Sequence, residues 1–384
     1  MALLAGVSFA ALATLAPVAH ALDGIWTGGG APVPNEWTQD NNWSLATVPD
    51  NTATFTNNGA PTSVTVSDDA SINTIQFTAG APAFNFITSG TGITFDINGA
   101  GIGNNSAFAP SFTNNDNLNF NNASSAGNAV IINNNGGVVS FNNDSTAANA
   151  TITTNSGGLT LFNDNSNGGN AQFIANAGGI VDFSNTAGPA NEGNISAGSI
   201  AGAGNYFLGS NQLTVGSNNL STTVSGVISD CGPTGLDCSA GSGATGGGLT
   251  KVGSGTLTLS GANTYTGPTL VNGGILNVTG SLVSAVTVNS GGMLTGNGTI
   301  GGLDVGSGGA VAPGNSIGTL RVAGDVSFEQ GSVYQVKANA RREVRHDQRD
   351  GRRQHRWRHG AGAGAEWDLC PANAIYHLDR ERRR

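Results

Sequence analysis

Residues 118–163 read LNFNNASSAGNAVIINNNGGVVSFNNDSTAANATITTNSGGLTLFN, and the pattern repeats every 21 residues. Phenylalanines keep this interval over four units, at Phe120, Phe141, Phe162 and Phe183. Gly-Gly pairs keep it too, as do the asparagines that follow Asn128. A fixed period of about 20–50 residues is typical of a solenoid, in which each repeat contacts its neighbours along one axis.

Apolar and small polar residues alternate within each unit, as in Leu159-Thr-Leu161. This alternation is the periodicity of a β-strand, and the unit is too short for a two-helix repeat. It suits one turn of a parallel β-helix, in which short strands are joined by Gly/Asn turns. We therefore predict an all-β parallel β-helix, or β-solenoid. The four phenylalanines would stack as a core ladder, and the asparagines would lie at a turn.

Charged residues are sparse and unevenly distributed. The 384 residues include 60 glycines, and 10% of the chain is charged. Before residue 341 there are three basic residues and 17 acidic ones. Such a surface repels phosphate groups, so we expect neither nucleic acid nor an anionic membrane as a partner.

Residues 1–21 are predicted to be a signal peptide. An apolar run of small residues ends in Ala19-His20-Ala21, which matches an A-x-A cleavage site. A transmembrane anchor is the alternative interpretation, although Pro17 and His20 interrupt the run. Export is the expectation that follows.

Residues 22–116 are predicted to form an N-terminal cap and the first coils of the β-helix. They contain Trp26, Trp37 and Trp43. The open end of a solenoid presents an edge strand that templates aggregation, so an aromatic cap is one interpretation of these tryptophans. A tryptophan-lined sugar-binding face is the other.

Residues 117–248 are predicted to continue the β-helix with its 21-residue repeats, and they include a small cysteine loop. Cys231 and Cys238 flank this loop. In an exported protein such a pair is expected to form a disulfide.

Residues 249–340 carry the most specific motifs. They include LTKVGSGTLTL at residues 249–259, Asn263-Thr-Tyr265 and Ala312-Pro-Gly-Asn-Ser-Ile317. This region resembles the autotransporter-associated β-strand repeat of type V secreted passenger domains. The resemblance implies a right-handed parallel β-helix, export by the Sec machinery, and a repeat region that aids folding and secretion of the passenger.

In that family a C-terminal translocator barrel carries the passenger across the outer membrane. A barrel would show a series of alternating segments with aromatic girdles, and we expect it to be absent from this chain. The resemblance therefore implies the cell surface or outer membrane for the intact protein, and the periplasm for this chain alone.

Residues 341–384 differ from the rest of the sequence. This tail holds 12 of the 15 lysines and arginines, and the Gly/Asn/Thr alternation ends before it. A basic arm is one interpretation, but an exported acidic passenger has no evident use for one. When the tail is back-translated with permitted codons and the frame is shifted by one base, one permitted outcome has strand-like alternation. We interpret the tail, with Cys370, as frameshifted and disordered.

Two short motifs match functional patterns without their structural context. Gly314-Asn-Ser316-Ile-Gly318 matches G-x-S-x-G, but a nucleophile elbow needs a following helix and a histidine base. The histidines occur at position 20 and in the tail. A G-x-G-x-x-G match at residues 296–301 opens no predicted helix. We therefore predict no catalytic, cofactor-binding or metal-binding residues.

The sequence favours a non-catalytic surface scaffold for adhesion or self-association, with a host surface or glycans as candidate partners. Stacked repeats offer an extended surface for weak multivalent contacts. The alternative is a carbohydrate-binding or polysaccharide-acting β-helix. Cleavage of an acidic polysaccharide would need clustered carboxylates or a basic residue beside bound calcium.

Overall fold

The computed structural model describes residues 21–231, 244–314, 318–335 and 367–369. Residues 1–20 of the predicted signal peptide, Cys238, Ser316 and nearly all of the basic tail lie outside these described residues.

The described residues form 35 short strands. The first fourteen are β1 (Gly24–Ile25), β2 (Thr52–Phe55), β3 (Ser63–Val66), β4 (Ala70–Phe77), β5 (Asn85–Thr88), β6 (Thr94–Asn104), β7 (Ser111–Asn114), β8 (Asn117–Phe120), β9 (Val130–Asn133), β10 (Val138–Phe141), β11 (Thr151–Thr154), β12 (Leu159–Asp164), β13 (Gln172–Ala175) and β14 (Ile180–Thr186). The next eleven are β15 (Asn194–Ala197), β16 (Ser199–Gly202), β17 (Asn205–Phe207), β18 (Gln212–Val215), β19 (Thr222–Val224), β20 (Val227–Ser229), β21 (Gly248–Lys251), β22 (Thr256–Leu259), β23 (Ala262–Asn263), β24 (Thr269–Val271) and β25 (Gly274–Val278). The last ten are β26 (Ser281–Leu282), β27 (Ala285–Val288), β28 (Gly292–Gly296), β29 (Thr299–Ile300), β30 (Gly302–Val305), β31 (Ala310–Pro313), β32 (Leu320–Val322), β33 (Val326–Phe328), β34 (Val333–Tyr334) and β35 (Trp367–Leu369).

The strands stack into a parallel β-solenoid of about 13 turns. One 13-stranded sheet runs from β3 to β34 along the whole solenoid. A ten-stranded sheet runs from β1 to β20, a seven-stranded sheet from β15 to β33, and a five-stranded sheet from β23 to β35. Successive coils pair in parallel, and the exception among the strand pairs is β35, which pairs antiparallel with β32. At about 4.8 Å per strand, the 13-stranded sheet is about 58 Å long.

Helical structure in the described ranges is a single 3-10 turn, Asp40–Asn42. None of it is long and apolar enough to form a membrane-spanning helix.

The Gly-Gly pairs lie at a turn that follows each strand of the 13-stranded sheet in the regular region. Gly157 and Gly178 have positive φ angles of 76° and 81°. At the second position the backbone of the coil below lies too close for a side chain, because a Cβ on Gly179 would approach the Thr154 carbonyl oxygen to 2.2 Å. The repeated pair therefore supplies both a left-handed backbone and a close approach between coils.

The core consists of side-chain columns that run along the solenoid. Phe120, Phe141, Phe162 and Phe183 are fully buried. Their rings stack with centroid distances of 4.9, 4.8 and 4.7 Å, and the last pair is the most tilted, at 21°. A β-bulge between Leu161 and Asn163 precedes this tilt. The buried hydrophobic residues form one cluster that extends from Trp26 to Val322.

Asparagine ladders connect the outer turns of successive coils. Asn163 donates to Asn142, and Asn142 donates to Asn121, both at 2.8 Å. A second ladder joins Asn176, Asn155, Asn134 and Asn115 at 2.7–3.0 Å. In the column that the sequence singled out, Asn170 donates to Asn149 at 3.2 Å. Asn191 lies beyond the bulge and instead takes a left-handed turn, with φ of 56°.

The tryptophans close the N-terminal end of the core. Trp26 and Trp37 are fully buried, and Trp43 is 2% exposed. Trp43 packs edge-on against both, with centroid distances of 5.1 and 4.8 Å. Below them lies Phe55, at 6.0–6.2 Å from the three indoles. No indole face is left open to stack on a sugar ring. The interpretation of these tryptophans as a sugar-binding face is therefore wrong for this structure, because the rings are needed to cover the first coil.

Candidate functional site: buried polar groups where the sheets exchange

On one face of the solenoid, one β-sheet ends near residue 230 and another begins. The ten-stranded sheet ends at β20, and the five-stranded sheet begins at β23. Residues 232–243, which follow β20 in the chain, lie outside the described residues. The strands on either side of this junction contact each other without forming a regular hydrogen-bonded ladder. Other groups must therefore form hydrogen bonds with their buried backbone N–H and C=O groups.

Asn263 bridges this junction with its side chain. The residue is 1% exposed, and its Oδ1 accepts a hydrogen bond from the Ile228 N–H at 3.0 Å. Its Nδ2 donates to the carbonyls of Gly261 and Ser281 at 3.2 and 3.3 Å. The next residue, Thr264, donates its N–H to the Ile228 carbonyl at 2.9 Å. One amide side chain therefore joins three successive coils, at β20, β23 and β26.

Asp230 joins the end of β20 to residues 246 and 266. It is 7% exposed. Its carboxylate accepts hydrogen bonds from the Thr266 hydroxyl at 2.7 Å, the Thr266 N–H at 3.1 Å and the Gly246 N–H at 3.3 Å. Cys231, the next residue, is disulfide-bonded. Its predicted partner Cys238 lies outside the described residues, so the Cys231–Cys238 pairing stays a prediction.

Lys251 lies at the end of β21 with 1% of its surface exposed. Its Nζ donates to the carbonyls of Val252, Gly253 and Gly273 at 2.6, 3.3 and 3.2 Å. These carbonyls come from two successive coils. Burial lowers the pKa of the Lys251 ammonium. The three carbonyl dipoles take the place of water around the charge.

Glycines make room for this ammonium group. A Cβ at Gly274 would lie 2.9 Å from the Lys251 Nζ and 2.4 Å from the Gly253 carbonyl oxygen. Gly274 also has a positive φ of 61°. Beside the lysine is a cavity of about 10 Å³, lined in part by Ile200, Val215 and Leu257. That space is enough for about one water molecule and too small for a substrate.

Tyr265 begins a chain of buried hydroxyl groups. Its OH lies 2.6 Å from the Thr269 hydroxyl, which lies 2.6 Å from the Ser284 hydroxyl. All three residues are at most 4% exposed. Burial raises the pKa of Tyr265 to about 12, with the two hydroxyls opposing the shift. The chain joins β24 to the turn before β27, which is a third connection between coils.

The described residues offer little catalytic chemistry. They contain no group of three or more metal-binding side chains. Ser316 of the G-x-S-x-G match lies outside them, and the flanking segments 310–313 and 320–322 are both strands. A nucleophile elbow requires a helix after the serine. The described segment that follows is instead the strand Leu320–Val322.

Sequence reasoning missed the roles of Lys251, Asn263 and Asp230. A signal for Lys251 was present, since it is one of three basic residues in the first 340. An isolated cation inside an alternating apolar segment must find buried acceptors. The convergence of three carbonyls from separate turns could not be read from the spacing.

Comparisons with known proteins agree with this architecture. A family model described as the passenger-associated-transport-repeat matches residues 249–278, the segment that contains Lys251, Asn263 and Tyr265. Together with the solenoid, this match supports an autotransporter passenger domain, and a protein of this class is exported, secreted or held at the cell surface.

Two relatives from Serratia marcescens, each named an extracellular serine protease, match part of the chain. One is 46% identical over 91 residues, which is 24% of this chain and 9% of the relative. The other is 42% identical over 92 residues, with the same shares. The chain therefore covers less than a tenth of either relative. No solved structure matches the chain.

Proposed function

We propose that this chain is a non-catalytic passenger scaffold, whose solenoid serves adhesion or self-association at the cell surface. The observation that supports the proposal most is the 13-stranded sheet, which presents a continuous outer face along a core filled by stacked side chains. An extended face of repeated side chains suits many weak, simultaneous contacts.

The repeat segment would aid folding and secretion by joining coils across the sheet junction. Lys251, Asn263 and Tyr265 each connect at least two successive coils through buried polar contacts. A coil that docks on the next one gains these contacts only when both are in register. Such contacts favour ordered, coil-by-coil assembly in a solenoid, where stability is the sum of neighbour interactions.

The protease names of the relatives raise a second candidate. A serine protease needs a histidine base near its nucleophile. All five histidines of this chain, at positions 20, 346, 355, 359 and 377, fall outside the described residues. The described solenoid thus supplies no such base. In a longer protease-like protein we propose that it would serve as the non-catalytic stalk.

A carbohydrate-binding role is the third candidate, and one surface recess favours it. The recess of about 370 Å³ is lined by residues 69–71, Thr94 and Asp96. Both carboxylates are already engaged, since Asp96 accepts from the Asn119 and Asn121 amides and Asp69 accepts from the Thr94 N–H. A carboxylate held in a ladder is a poor general acid or base, so binding is favoured over cleavage.

Beads coated with the full chain test these candidates together. The scaffold proposal expects coated beads to clump with each other or to adhere to cells, and it expects no labelling by a fluorophosphonate probe for active serines. Labelling that a Ser316→Ala substitution abolishes would support the protease candidate. Retention on a glycan array that Asp96→Asn abolishes would support the carbohydrate candidate. The expectation of a periplasmic location for this chain alone is tested by fractionation of expressing cells.

A further inference from the structure

The outward face of the 13-stranded sheet carries a regular row of β-branched residues. Threonine and isoleucine alternate from coil to coil in strict register, and we call these residues the Thr/Ile row: Thr65, Ile87, Thr113, Ile132, Thr153 and Ile174. Their neighbours along each strand point into the core. The row itself is half-buried, with Ile132 37% exposed. The Thr/Ile row is therefore a ridge in which longer and shorter side chains alternate.

This outward face is uncharged from β3 to β31. The other outward positions hold Ser, Asn, Val, Thr, Gln, Ala, Ile and Met, at residues 63, 85, 111, 130, 151, 172, 199, 201, 223, 256, 258, 275, 277, 293, 295, 310 and 312. The first charge along the row is Glu36, which bridges Thr65 at the N-terminal end. Its carboxylate accepts from the Ser67 N–H at 3.0 Å. The acidic residues in the described part of the solenoid thus lie on other faces and at the turns.

The face has the area of a stable protein interface. Its length is about 58 Å, and four residues at about 3.3 Å each give a width of about 13 Å. The product is about 750 Å² for each partner. A standard interface buries about 800 Å² on each side.

We propose that the outward face of the 13-stranded sheet is the self-association surface of this protein and that its partner is a second copy of this chain. The inference rests on the proposed scaffold function and names the partner. Residues up to 340 have 17 acidic side chains against three basic ones, so two copies repel each other wherever charged faces meet. The uncharged face is where they approach with the least repulsion. In an antiparallel pair of copies, each isoleucine of one Thr/Ile row faces a shorter threonine of the other row, so that the side chains of the two rows interdigitate.

A rival apolar patch lies on the ten-stranded sheet. Val138, Leu159 and Ile180 stand in register on its outward side. The row beside them contains Asp96 at one end and Asp182 at the other. This patch spans three coils, so it offers a smaller and more acidic surface than the Thr/Ile row.

Sedimentation velocity of the full chain over a concentration series tests the proposal. The variants Ile132→Lys and Thr153→Lys each add a charge to the Thr/Ile row, and Ile180→Lys places the same charge on the rival patch. Thermal melting by circular dichroism checks that each variant is folded. We expect the unsubstituted chain to self-associate, the two row variants to raise the dissociation constant at least about tenfold, and Ile180→Lys to leave it unchanged.

Two results would overturn the inference. If Ile180→Lys weakens association while both row variants do not, the scaffold self-associates through the rival patch, and the proposed function survives without this surface. If the unsubstituted chain stays monomeric at every concentration, no second copy occupies the face. Pull-down of that monomer by insoluble chitin or cellulose, lost in Ile132→Lys, would identify a glycan as the occupant instead.

Discussion

Replacing Asn263 with leucine removes the bridge at the sheet junction while keeping the side-chain volume similar. The Ile228 N–H then has no acceptor in a position where Ile228 is fully buried. An unsatisfied buried donor costs about 1–3 kcal/mol. The two donated bonds, at 3.2 and 3.3 Å, are long and add roughly 1 kcal/mol together. We therefore expect Asn263→Leu to lower the free energy of unfolding by about 2–4 kcal/mol.

Urea denaturation followed by circular dichroism measures this loss, and native-state hydrogen exchange locates it. Exchange of the Ile228 amide should accelerate roughly 30-fold to 900-fold, whereas amides several coils away should change little. Asn289→Leu is the matched control, because the Asn289 side chain is in an exposed turn, where it donates to Asn272. The control should stay within about 0.5 kcal/mol of the unsubstituted chain. An Asn263→Leu variant as stable as this control would refute the bridging role.

Four further outcomes follow from the same structure. Phe141→Ala leaves a gap between two stacked rings and should cost about 3–5 kcal/mol in urea denaturation; a loss below about 1 kcal/mol would mean that the ring is not packed. Burial lowers the folded-state pKa of Lys251 below 10.5, so the unfolded state binds more protons than the folded state between that lowered pKa and 10.5. The free energy of unfolding should therefore rise with pH below 10. Lys251→Met should flatten this rise, and an unchanged slope would contradict the argument. Above pH 10 the free energy of unfolding should fall as the pH rises, because Tyr265 has a folded-state pKa of about 12 and the unfolded tyrosine loses its proton first. Tyr265→Phe should weaken this fall in stability. Ser145 has a buried hydroxyl without a hydrogen-bond partner, so Ser145→Ala should be neutral or stabilise by up to about 1 kcal/mol, and a clear loss of stability would show a hidden partner.

The sequence period allowed the solenoid to be predicted, because equal spacing along a parallel coil places equivalent side chains above one another. Phe120 and Phe141 illustrate this, since they are separated along the chain by one full coil and their ring centroids lie 4.9 Å apart. The alternation of residues likewise indicated which side chains face inward. These features depend on local spacing alone, which the sequence contains.

Features that depend on local departures from the period were not predictable. The coil between β13 and β16 is longer than the 21-residue period, since Gln172 pairs with Ser199, and this insertion removes Asn191 from the column in which Asn149 and Asn170 pair. The turn asparagines that pair most regularly are those at 121 and 142, which sequence reasoning did not single out. An insertion of this kind alters which side chains meet, and the composition of the sequence does not show it.

The candidate site was predictable as a segment but not as a set of contacts. Motifs in residues 249–278 marked the segment. The bonds of Lys251 reach carbonyls in two coils, and Asn263 reaches Ile228, 35 residues away. The burial of the tryptophans was likewise not predictable, because the sequence allowed Trp26 and Trp43 to face either the core or the solvent. Long-range packing supplies this information, and spacing along the chain does not.

Distances between spin labels on the outer face test the central claim that the chain advances by one strand spacing per coil. Cysteines for labelling replace Thr65 on β3, together with either Thr258 on β22 or Thr295 on β28, which are eight and ten strand steps away. At about 4.8 Å per step, pulsed electron paramagnetic resonance should give about 38 Å for the first pair and about 48 Å for the second. Equal distances for the two pairs, or a second distance shorter than the first, would contradict a continuous stack of coils.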